Sequence, residues 1–218
     1  MIKKFTFKSR EEWLRARKNY IGGSDASAIV GRNPYMSNTD LWEIKTGRRE
    51  QEDISDKPYV IYGSKAEQYL RELFQLDFPE YEVRYEEDNM FWNDRYPWAH
   101  ASLDGWLIEK ETGRRGVFEC KTTNILQSMQ KEKWKDGIPD NYFCQVLHYM
   151  MVTEVDFSIL KAQLKYEFPG ELPFMHTRHY LIERADVEDD IAYLAREEQR
   201  FWKHVVDNKR PAMILPEI

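Results

Sequence analysis

Asp104, Glu119 and Lys121 are residues whose types and spacing could do chemistry together. Asp104 lies in the run Ala-Ser-Leu-Asp-Gly, and the later run Val-Phe-Glu-Cys-Lys contains Glu119, Cys120 and Lys121. Because side chains on a strand alternate between two faces, Glu119 and Lys121 point to the same side. Neighbouring carboxylates repel each other unless a cation lies between them, and oxygen ligands favour a hard divalent ion such as Mg²⁺ or Mn²⁺. An adjacent lysine can stabilise an anionic transition state, so the stretch predicts the chemistry of a metal-dependent phosphodiesterase.

A β-hairpin would bring these residues together. The Glu-Thr-Gly sequence at 111–113 predicts a turn between strands at Ser102–Ile108 and Gly116–Thr122, and this pairing places Asp104 near Glu119. The competing interpretation is an ordinary Asp-Gly turn followed by a solvated Glu-x-Lys strand face. The choice between the two depends on what the rest of the chain positions around this stretch.

Composition predicts one globular domain. The 218 residues include 14% aromatic residues with seven Trp, which is enough for a substantial core, so residues 1–218 are expected to form a single domain. The net charge of −6 argues against a protein that coats nucleic acid through a uniformly basic surface. A locally basic DNA-binding surface is still compatible with an acidic whole.

The cysteines and the first residues argue against several classes of protein. Cys120 and Cys144 have no CxxC spacing and no accompanying histidine cluster, which disfavours a zinc knuckle, an iron–sulfur cluster or a disulfide framework. The segment from Met1 to Lys8 is too short and too charged for a signal peptide, and no apolar run approaches membrane-spanning length. We therefore expect a cytoplasmic protein with no membrane partner.

A glycine-rich turn near the start of the chain predicts a helix N-terminus with two uses. Ser9 begins a capping-box pattern, and the helix that it predicts ends near Lys18. The following Ile-Gly-Gly-Ser-Asp-Ala run contains Ser24 and Asp25, either of which can cap the next helix. The same turn, with its backbone N–H groups and nearby Arg17, can also bind a phosphate. Capping is the favoured interpretation, and both uses are compatible.

A predicted helix at Val60–Phe78 carries a carboxylate at the edge of its apolar face. The residues that share this face by helical spacing are Tyr62, Ala66, Tyr69, Leu70, Leu73 and Phe74. Glu67 lies at the border of the stripe, where an ionised side chain is costly without a partner. That partner is either the metal site or an Arg elsewhere in the chain, and the sequence supports both equally.

Two strands and a turn precede the hairpin in the predicted order of elements. The strands are Tyr81–Glu87 and Met90–Trp92, and the turn that follows contains Asp94, which can simply cap it. After the hairpin, Thr122–Asn124 is predicted to begin a helix.

Gln145 lies on a further predicted helix, which begins at Pro139 and reaches Met151. Its helical neighbours include Tyr142 and Tyr149. A glutamine on an aromatic-lined face is more often a satisfied core amide than a functional group. It can also hold a water or a phosphate beside a metal.

The last third of the chain completes an α/β pattern. Strands at Val155–Leu164 and Arg178–Ile182 are joined by a predicted loop at Lys165–His176, and a charged amphipathic helix follows. His176 and His179 are expected to be isolated surface histidines rather than metal ligands.

In this order and at these spacings, the segments resemble the lambda-type exonuclease family, also called YqaJ-like viral recombinases, of the PD-(D/E)xK nuclease superfamily. The matching segments run from about Arg17 to Ile182 and are Arg17 with Ser24 in Ile-Gly-Gly-Ser-Asp-Ala, Tyr-Gly-Ser-Lys-Ala-Glu67, Asp94, Ser-Leu-Asp104-Gly, Phe-Glu119-Cys-Lys121 and Tyr-Phe-Cys-Gln145-Val-Leu-His-Tyr-Met. The first motif of the superfamily is often Pro-Asp, whereas Leu103 precedes Asp104 here. The resemblance implies an α/β fold with a restriction-endonuclease-like core, in which α-helices flank a mixed central β-sheet.

The resemblance also implies a metal and catalytic role for four residues. Asp104 and Glu119 correspond to the metal-binding carboxylates, with the Cys120 backbone carbonyl as a further ligand. Lys121 corresponds to the catalytic lysine near the nucleophilic water.

The other matching residues would surround that centre. Glu67 matches a helix carboxylate that assists metal or water binding, and Gln145 matches a glutamine on the helix that lines the site. Arg17 and Ser24 match positions that hold the terminal 5′-phosphate or a nearby phosphate. Asp94 matches a further acidic position whose role is open.

Members of this family digest one strand of double-stranded DNA from the 5′ end with Mg²⁺. The resemblance implies two Mg²⁺ ions per active site with Mn²⁺ as a substitute, a homotrimeric ring around DNA ends, and a single-strand annealing protein as partner. It also implies a phage or prophage origin in a bacterial host cell and 3′ overhangs that serve recombination. The alternatives are a related endonuclease with the same core and a non-catalytic DNA-end-binding protein. The presence of every candidate catalytic residue argues against the second alternative.

Overall fold

The computed structural model describes residues 1–125, 132–135, 137–167, 170 and 172–215. The helices are α1 (Arg10–Lys18), α2 (Gly23–Ile29), α3 (Asn38–Lys45), α4 (Pro58–Asp77), α5 (Asp140–Thr153) and α6 (Glu188–Val206), with a 3₁₀ turn at Arg184–Asp186. The strands are β1 (Ile2–Phe5), β2 (Tyr81–Arg84), β3 (Met90–Asn93), β4 (His100–Ala101), β5 (Gly105–Glu109), β6 (Arg115–Ile125), β7 (Phe157–Tyr166) and β8 (Phe174–Glu183). None of the helices in the described part of the chain is both long enough and apolar enough to cross a membrane.

The central sheet has the strand order β2-β5-β6-β7-β8. The β6–β7 pair is parallel and the other pairs are antiparallel, so the sheet is mixed. The predicted hairpin is present as β5 and β6, in which Gly105 lies opposite Phe118. Its turn contains Gly113 at φ 75°, a left-handed conformation that glycine adopts without a Cβ penalty. The mixed sheet with flanking helices confirms the predicted fold class.

The period of two along β6 directs its side chains into two separate cores. Phe118 and Cys120 belong to the cluster that Leu70 and Phe74 of α4 form on one face of the sheet. Val117 belongs to the larger cluster on the other face, which α5 and α6 help to build. Glu119 follows Val117 by two residues, so its carboxylate lies on the α5 face of a buried central strand.

A smaller sheet of order β1-β3-β4 packs against α5 and pairs with the segment between the first two helices, and α2 also packs on α5. Ile21, between α1 and α2, accepts from the His100 N–H at 2.9 Å and donates its own N–H to the Trp98 carbonyl at 2.8 Å. Hydrogen bonds of the fully buried His148 fix the position of helix α5. One ring nitrogen bonds Glu198 of α6 at 2.7 Å, and the other bonds the His100 carbonyl at 2.8 Å. These contacts set the position of the α5 face that carries Gln145.

Two predicted boundaries are wrong because long-range strand pairing overrides the local pattern. Thr122–Asn124 does not begin a helix, because β6 continues to Ile125, where it lies beside Tyr166 of β7 in the parallel ladder. The predicted loop at Lys165–His176 is shorter at both ends, since β7 reaches Tyr166 and β8 begins at Phe174. Residues 168, 169 and 171 of that loop lie outside the described residues.

Two local predictions also need correction. The N-cap residue of α2 is Gly22 rather than Ser24 or Asp25, but Asp25 still caps the helix from its third position, because its carboxylate accepts from the Gly22 N–H at 3.0 Å. On α4, only Leu70 and Phe74 of the predicted apolar stripe are buried, because the helix contacts the sheet along one narrow line. By contrast, Ser9 caps α1 as predicted and accepts from the Glu12 N–H at 3.3 Å.

Candidate active site

Glu119 is the centre of a hydrogen-bonded cluster on the α5 face of the sheet. Its side chain is buried, and its Oε1 accepts from Lys121 Nζ at 2.6 Å and from Gln145 Nε2 at 2.8 Å. Lys121 reaches it because residues two apart on a strand share a face, and Gln145 reaches it from α5. Glu119 Oε2 is buried and has no hydrogen-bond partner among the residues that the structure describes.

Asp104 approaches from the end of β5. Its Oδ2 accepts from the Cys120 N–H at 2.9 Å, in the gap that opens where the β5–β6 ladder ends at Gly105. Because the N–H and C=O of a strand residue point to the same side, the Cys120 carbonyl also points toward this gap. Arg71 of α4 donates to the Asp104 carbonyl at 2.9 Å and lies over the Tyr85 ring, 3.7 Å from its centroid.

The carboxylates in this cluster destabilise one another. Burial, followed by the charge of Asp104, raises the pKa of Glu119 to about 8 and the pKa of Glu67 to about 7. Burial opposes the charge of Lys121, but Glu119 and Asp104 together hold the pKa of its ammonium above the ordinary value. Lys121 is therefore a permanent cation and a hydrogen-bond donor at neutral pH.

These groups line one polar cavity of about 540 Å³. Among the side chains predicted for the site, the structure brings Asp104, Glu119, Lys121, Glu67, Gln145 and Arg17 to this cavity. Arg17 lies at its rim with its guanidinium stacked over the Trp13 ring, 4.4 Å from the centroid.

Ser24 and Asp94 do not line this cavity. Ser24 lines a neighbouring cavity of about 370 Å³, which shares Arg17 with the first. Asp94 is exposed and its carboxylate pairs with Lys3 at 3.2 Å, so the structure gives it a surface ion pair instead of a place in the cluster. His176 and His179 are exposed and lie outside the residues that line this cavity.

The donor set at the cluster fits a hard cation. Glu119 Oε2 is a buried carboxylate oxygen that meets no donor in the described part of the chain, and desolvating such an oxygen is costly unless a cation or donor meets it. Asp104 and the Cys120 carbonyl supply further oxygen donors nearby, which is the ligand type that Mg²⁺ and Mn²⁺ prefer. Within the described part of the chain, no three His, Cys, Asp or Glu side chains form a ready metal cage, so backbone oxygen and water would have to complete the coordination.

Three cavity-side residues were not anticipated from sequence. Tyr149 accepts from Gln145 Nε2 at 2.7 Å, and Arg71 donates to the Asp104 carbonyl beside the cavity. Ser102 lines the cavity, and its buried hydroxyl has no hydrogen-bond partner among the described residues. Spacing could have found two of them, because Tyr149 follows Gln145 by four residues and Arg71 follows Glu67 by four, which places each pair on one helix face.

Gly23 allows α2 to pack closely against α5. A Cβ at this position would lie 2.5 Å from Tyr149 Cε1 and 3.0 Å from Gln145 Cγ, closer than carbon atoms can approach. The second glycine of the Gly-Gly pair is thus required by tertiary packing and not by its backbone conformation.

We expect Gly23→Ala to lower the free energy of unfolding by about 1–3 kcal/mol, because the added methyl overpacks a buried contact. Urea unfolding of the two proteins measures the difference. Gly137→Ala is the matched control, since a Cβ there meets no atom of the described residues within 4 Å, and it should change stability by less than about 0.5 kcal/mol. Equal midpoints for Gly23→Ala and the parent protein would contradict the close approach of α2 and α5.

Comparison with known proteins gives one family. The model of the YqaJ-like viral recombinase domain matches residues 12–156. A Bacillus subtilis (strain 168) protein, described as uncharacterized protein YqaJ, is 31% identical over 207 residues. The alignment covers 94% of this chain and 59% of that relative, so the chain spans less than two thirds of the relative's length.

Solved structures share the fold at low sequence identity. The alkaline exonuclease LHK-Exo from Laribacter hongkongensis superposes with a TM-score of 0.64 at 17% identity, covering 91% of this chain and 93% of the other. The same exonuclease in complex with dAMP gives a TM-score of 0.63 at 17% identity, with the same coverage. The fold is therefore the restriction-endonuclease-like one that the sequence predicted.

Proposed function

Because the chain belongs to the YqaJ-like viral recombinase family, we propose that it is a Mg²⁺-dependent exonuclease that digests double-stranded DNA in the 5′→3′ direction. The observation that carries the proposal is the buried Glu119 Oε2, which has no hydrogen-bond partner within the described residues. It lies in a polar cavity with Asp104, Glu67 and Lys121. A phosphodiesterase needs oxygen ligands for a divalent ion and a cation for the developing negative charge, and this cluster has both.

Asp104, Glu119 and the Cys120 carbonyl would hold the metal, with Glu67 assisting at a metal or a water. Two Mg²⁺ ions, for which Mn²⁺ can substitute, would supply Lewis-acid activation of the phosphodiester and of the attacking water. Each chain would contribute one such site, and residues 1–218 would act as a single nuclease domain.

Lys121 acts in this proposal as a donor and not as a base. Its ammonium stays protonated because Glu119 and Asp104 raise its pKa, so it can orient a water through its lone pair or stabilise the charge on a phosphoryl oxygen. Lys121 and Gln145 both donate to Glu119 Oε1, so Oε2 would be the carboxylate oxygen available to hold the metal.

Arg17 and Ser24 would bind the 5′-terminal phosphate or the phosphate beside it. Arg17 borders both cavities, so a phosphate held by its guanidinium would lie between Ser24 in one cavity and Glu119 in the other. If the Arg17 guanidinium binds the terminal phosphate beside the metal-binding carboxylates, the site would favour a strand that enters by its 5′ end.

Arg17→Ala is expected to abolish the preference for 5′-phosphorylated over 5′-hydroxyl ends, because the charged donor for the terminal phosphate is lost. Initial digestion rates of the two linear substrates measure the preference. Arg15→Ala is the control, because Arg15 is exposed on the same helix and lines neither cavity. An unchanged preference in Arg17→Ala would remove Arg17 from phosphate recognition.

The assembly and the pathway are part of the same proposal. A homotrimeric ring would retain duplex DNA topologically, which lessens the need for a strongly basic surface in a chain of net charge −6. The 3′ overhang would pass to a single-strand annealing protein for phage-type recombination in the cytoplasm of a bacterial host.

Linear and covalently closed circular duplexes of one sequence test the activity. With Mg²⁺, the linear form should be degraded while the closed circle stays intact. Cutting of the closed circle would favour a related endonuclease, and intact DNA in both forms would favour a non-catalytic end-binding protein.

A further inference from the structure

Asn89 and Leu103 lie opposite each other just beyond the point where regular pairing between β3 and β4 ends. The last pair of that antiparallel ladder is Phe91 with Ala101. Two further steps of the same register reach Asn89 and Leu103. Both residues are buried, so the backbone N–H and carbonyl of Leu103 need partners that bulk water cannot supply.

The side chain of Asn89 supplies those partners. Its Oδ1 accepts from the Leu103 N–H at 2.9 Å, and its Nδ2 donates to the Leu103 carbonyl at 2.9 Å. Nδ2 also donates to the Glu86 carbonyl at 2.8 Å. Because a backbone N–H only donates and a carbonyl only accepts, these three bonds fix which end of the amide is oxygen. The side chain thus takes the place of a strand backbone opposite Leu103.

The peptide that Asn89 holds is the one directly before Asp104. The Leu103 carbonyl belongs to the planar peptide group that contains the Asp104 nitrogen, so its orientation restricts the Asp104 backbone. Arg71 holds the next carbonyl, that of Asp104 itself, at 2.9 Å, and the Cys120 N–H donates to Asp104 Oδ2 at 2.9 Å. Trp13 Nε1 in turn donates to the Asn89 carbonyl at 3.1 Å, which ties Asn89 to α1.

We propose that Asn89 is a positioning residue for the reaction, which acts by holding the Leu103–Asp104 peptide so that the Asp104 carboxylate stays at the Cys120 N–H. The hydrogen bonds of the Asn89 amide all go to backbone groups, so its effect on the cluster passes through Asp104. The kinetic part of this inference rests on the proposed nuclease function, whereas the hydrogen-bond geometry does not.

The backbone amide of Cys120 reports the place of the Asp104 carboxylate without any measurement of activity. The chain contains two cysteines, so ¹⁵N-cysteine labelling gives two backbone amide resonances, and Cys144→Ala identifies the one from Cys120. Asp104→Ala removes the acceptor of the Cys120 N–H and supplies the reference position for a lost bond. In Asn89→Ala, the Cys120 resonance should move upfield, most of the way toward that reference.

Asn93→Ala is the matched control. Asn93 is also buried, and its amide donates to the Val152 carbonyl at 3.1 Å and accepts from the Arg95 N–H at 3.0 Å. It lies outside the residues that line the cavity. Both variants should lower the midpoint of urea unfolding, because both leave backbone groups without partners. The Cys120 resonance should stay in place in Asn93→Ala, and equal movement in both variants would overturn the inference.

Mn²⁺ binding to the DNA-free protein, followed by the electron paramagnetic resonance of the free ion, gives a second readout. Loss of partners that orient metal ligands typically lowers metal affinity or activity about 10–100-fold. The Kd for Mn²⁺ should rise by about that factor in Asn89→Ala and by less than about twofold in Asn93→Ala. An Asn89→Ala protein that binds Mn²⁺ as tightly as the parent protein would overturn the positioning role.

Digestion of linear duplex DNA shows the same effect as a loss of kcat. In Asn89→Ala, kcat at a fixed Mg²⁺ concentration should fall about 10–100-fold while KM for DNA changes less than about threefold. A higher Mg²⁺ concentration should restore part of the rate, which a general loss of structure would not allow. A rise in KM with kcat unchanged would contradict the inference.

The outcomes separate this inference from the proposed function. A Cys120 resonance that stays in place in Asn89→Ala refutes the positioning role, whether or not the parent protein digests DNA. If the resonance moves as expected and the parent protein digests no DNA, only the proposed function is refuted. Asn89→Ser replaces Asn89→Ala if the alanine variant does not fold, because one hydroxyl cannot hold both backbone groups of Leu103 and the same movement of the Cys120 resonance is expected.

Discussion

Lys121→Ala is expected to lower kcat for Mg²⁺-dependent digestion of linear duplex DNA by about 10²–10³-fold. Lys121 Nζ lies 2.6 Å from Glu119 Oε1 and is a permanent cation beside the position where negative charge would develop. In other enzymes, removal of one preorganised donor that stabilises the transition state lowers kcat by about 10²–10³-fold. Binding of DNA ends should change little, because Arg17 at the cavity rim is untouched.

Single-turnover digestion and end binding in Ca²⁺ separate the two effects of Lys121→Ala. Lys203→Ala is the control, because this lysine is exposed on the last turn of α6 and lies outside the cavity. Digestion by Lys121→Ala at the parent rate would show that the cluster around Glu119 is not the catalytic centre.

Asp104→Asn should abolish digestion and yet stabilise the metal-free protein. Asparagine can still accept from the Cys120 N–H, so the β5–β6 junction is kept. Burial is the largest cause of the raised pKa values of Glu119 and Glu67, and the substitution removes the second cause, the negative charge of Asp104. We expect activity to fall at least about 100-fold, since a metal ligand is lost.

The gain in stability should depend on pH with a definite sign. The folded-state pKa values of Glu119 and Glu67, about 8 and about 7, lie above the ordinary value of 4.5. The parent protein therefore loses stability as the pH rises from 4.5 through 8, because folding must bury carboxylates that ionise. The Asp104→Asn protein should lose less stability over this pH range. Its Tm should exceed that of the parent protein by on the order of 5 °C at pH 8, and the difference should vanish near pH 4.5.

Thermal unfolding in EDTA across this pH range measures the gain, with Asp56→Asn as the control for loss of an exposed carboxylate. Addition of Mg²⁺ should raise the Tm of the parent protein more than that of Asp104→Asn. A lower Tm for Asp104→Asn at pH 8 in EDTA would mean that the carboxylates do not repel one another in the folded state.

The sequence anticipated those parts of the site that depend on local periodicity. Strand alternation put Glu119 and Lys121 on one face, and the Gly113 turn set the hairpin that delivers Asp104. Helical spacing also placed Glu67 at the edge of a buried face. Each of these relations joins residues that are close in sequence or are paired across one tight turn.

The features that were missed depend on contacts between distant segments. The extension of β6 to Ile125 follows from its parallel ladder with β7, which no local pattern encodes. Position 23 requires glycine because the Tyr149 ring, more than a hundred residues away in sequence, leaves no space for a Cβ. Asp94 pairs with Lys3 instead of joining the cluster around Glu119. Asp94 shows that a matching acidic position in a sequence does not by itself place a carboxylate at the site.

The most direct test of the proposed function uses one linear duplex with a label on a single strand, at the 5′ end in one sample and at the 3′ end in the other. With Mg²⁺, the 5′ label should be released as a mononucleotide at the earliest times, while the 3′ label stays in long products. With EDTA, neither label should be released. Earlier release of the 3′ label, or release of either label in EDTA, would contradict a Mg²⁺-dependent 5′→3′ exonuclease.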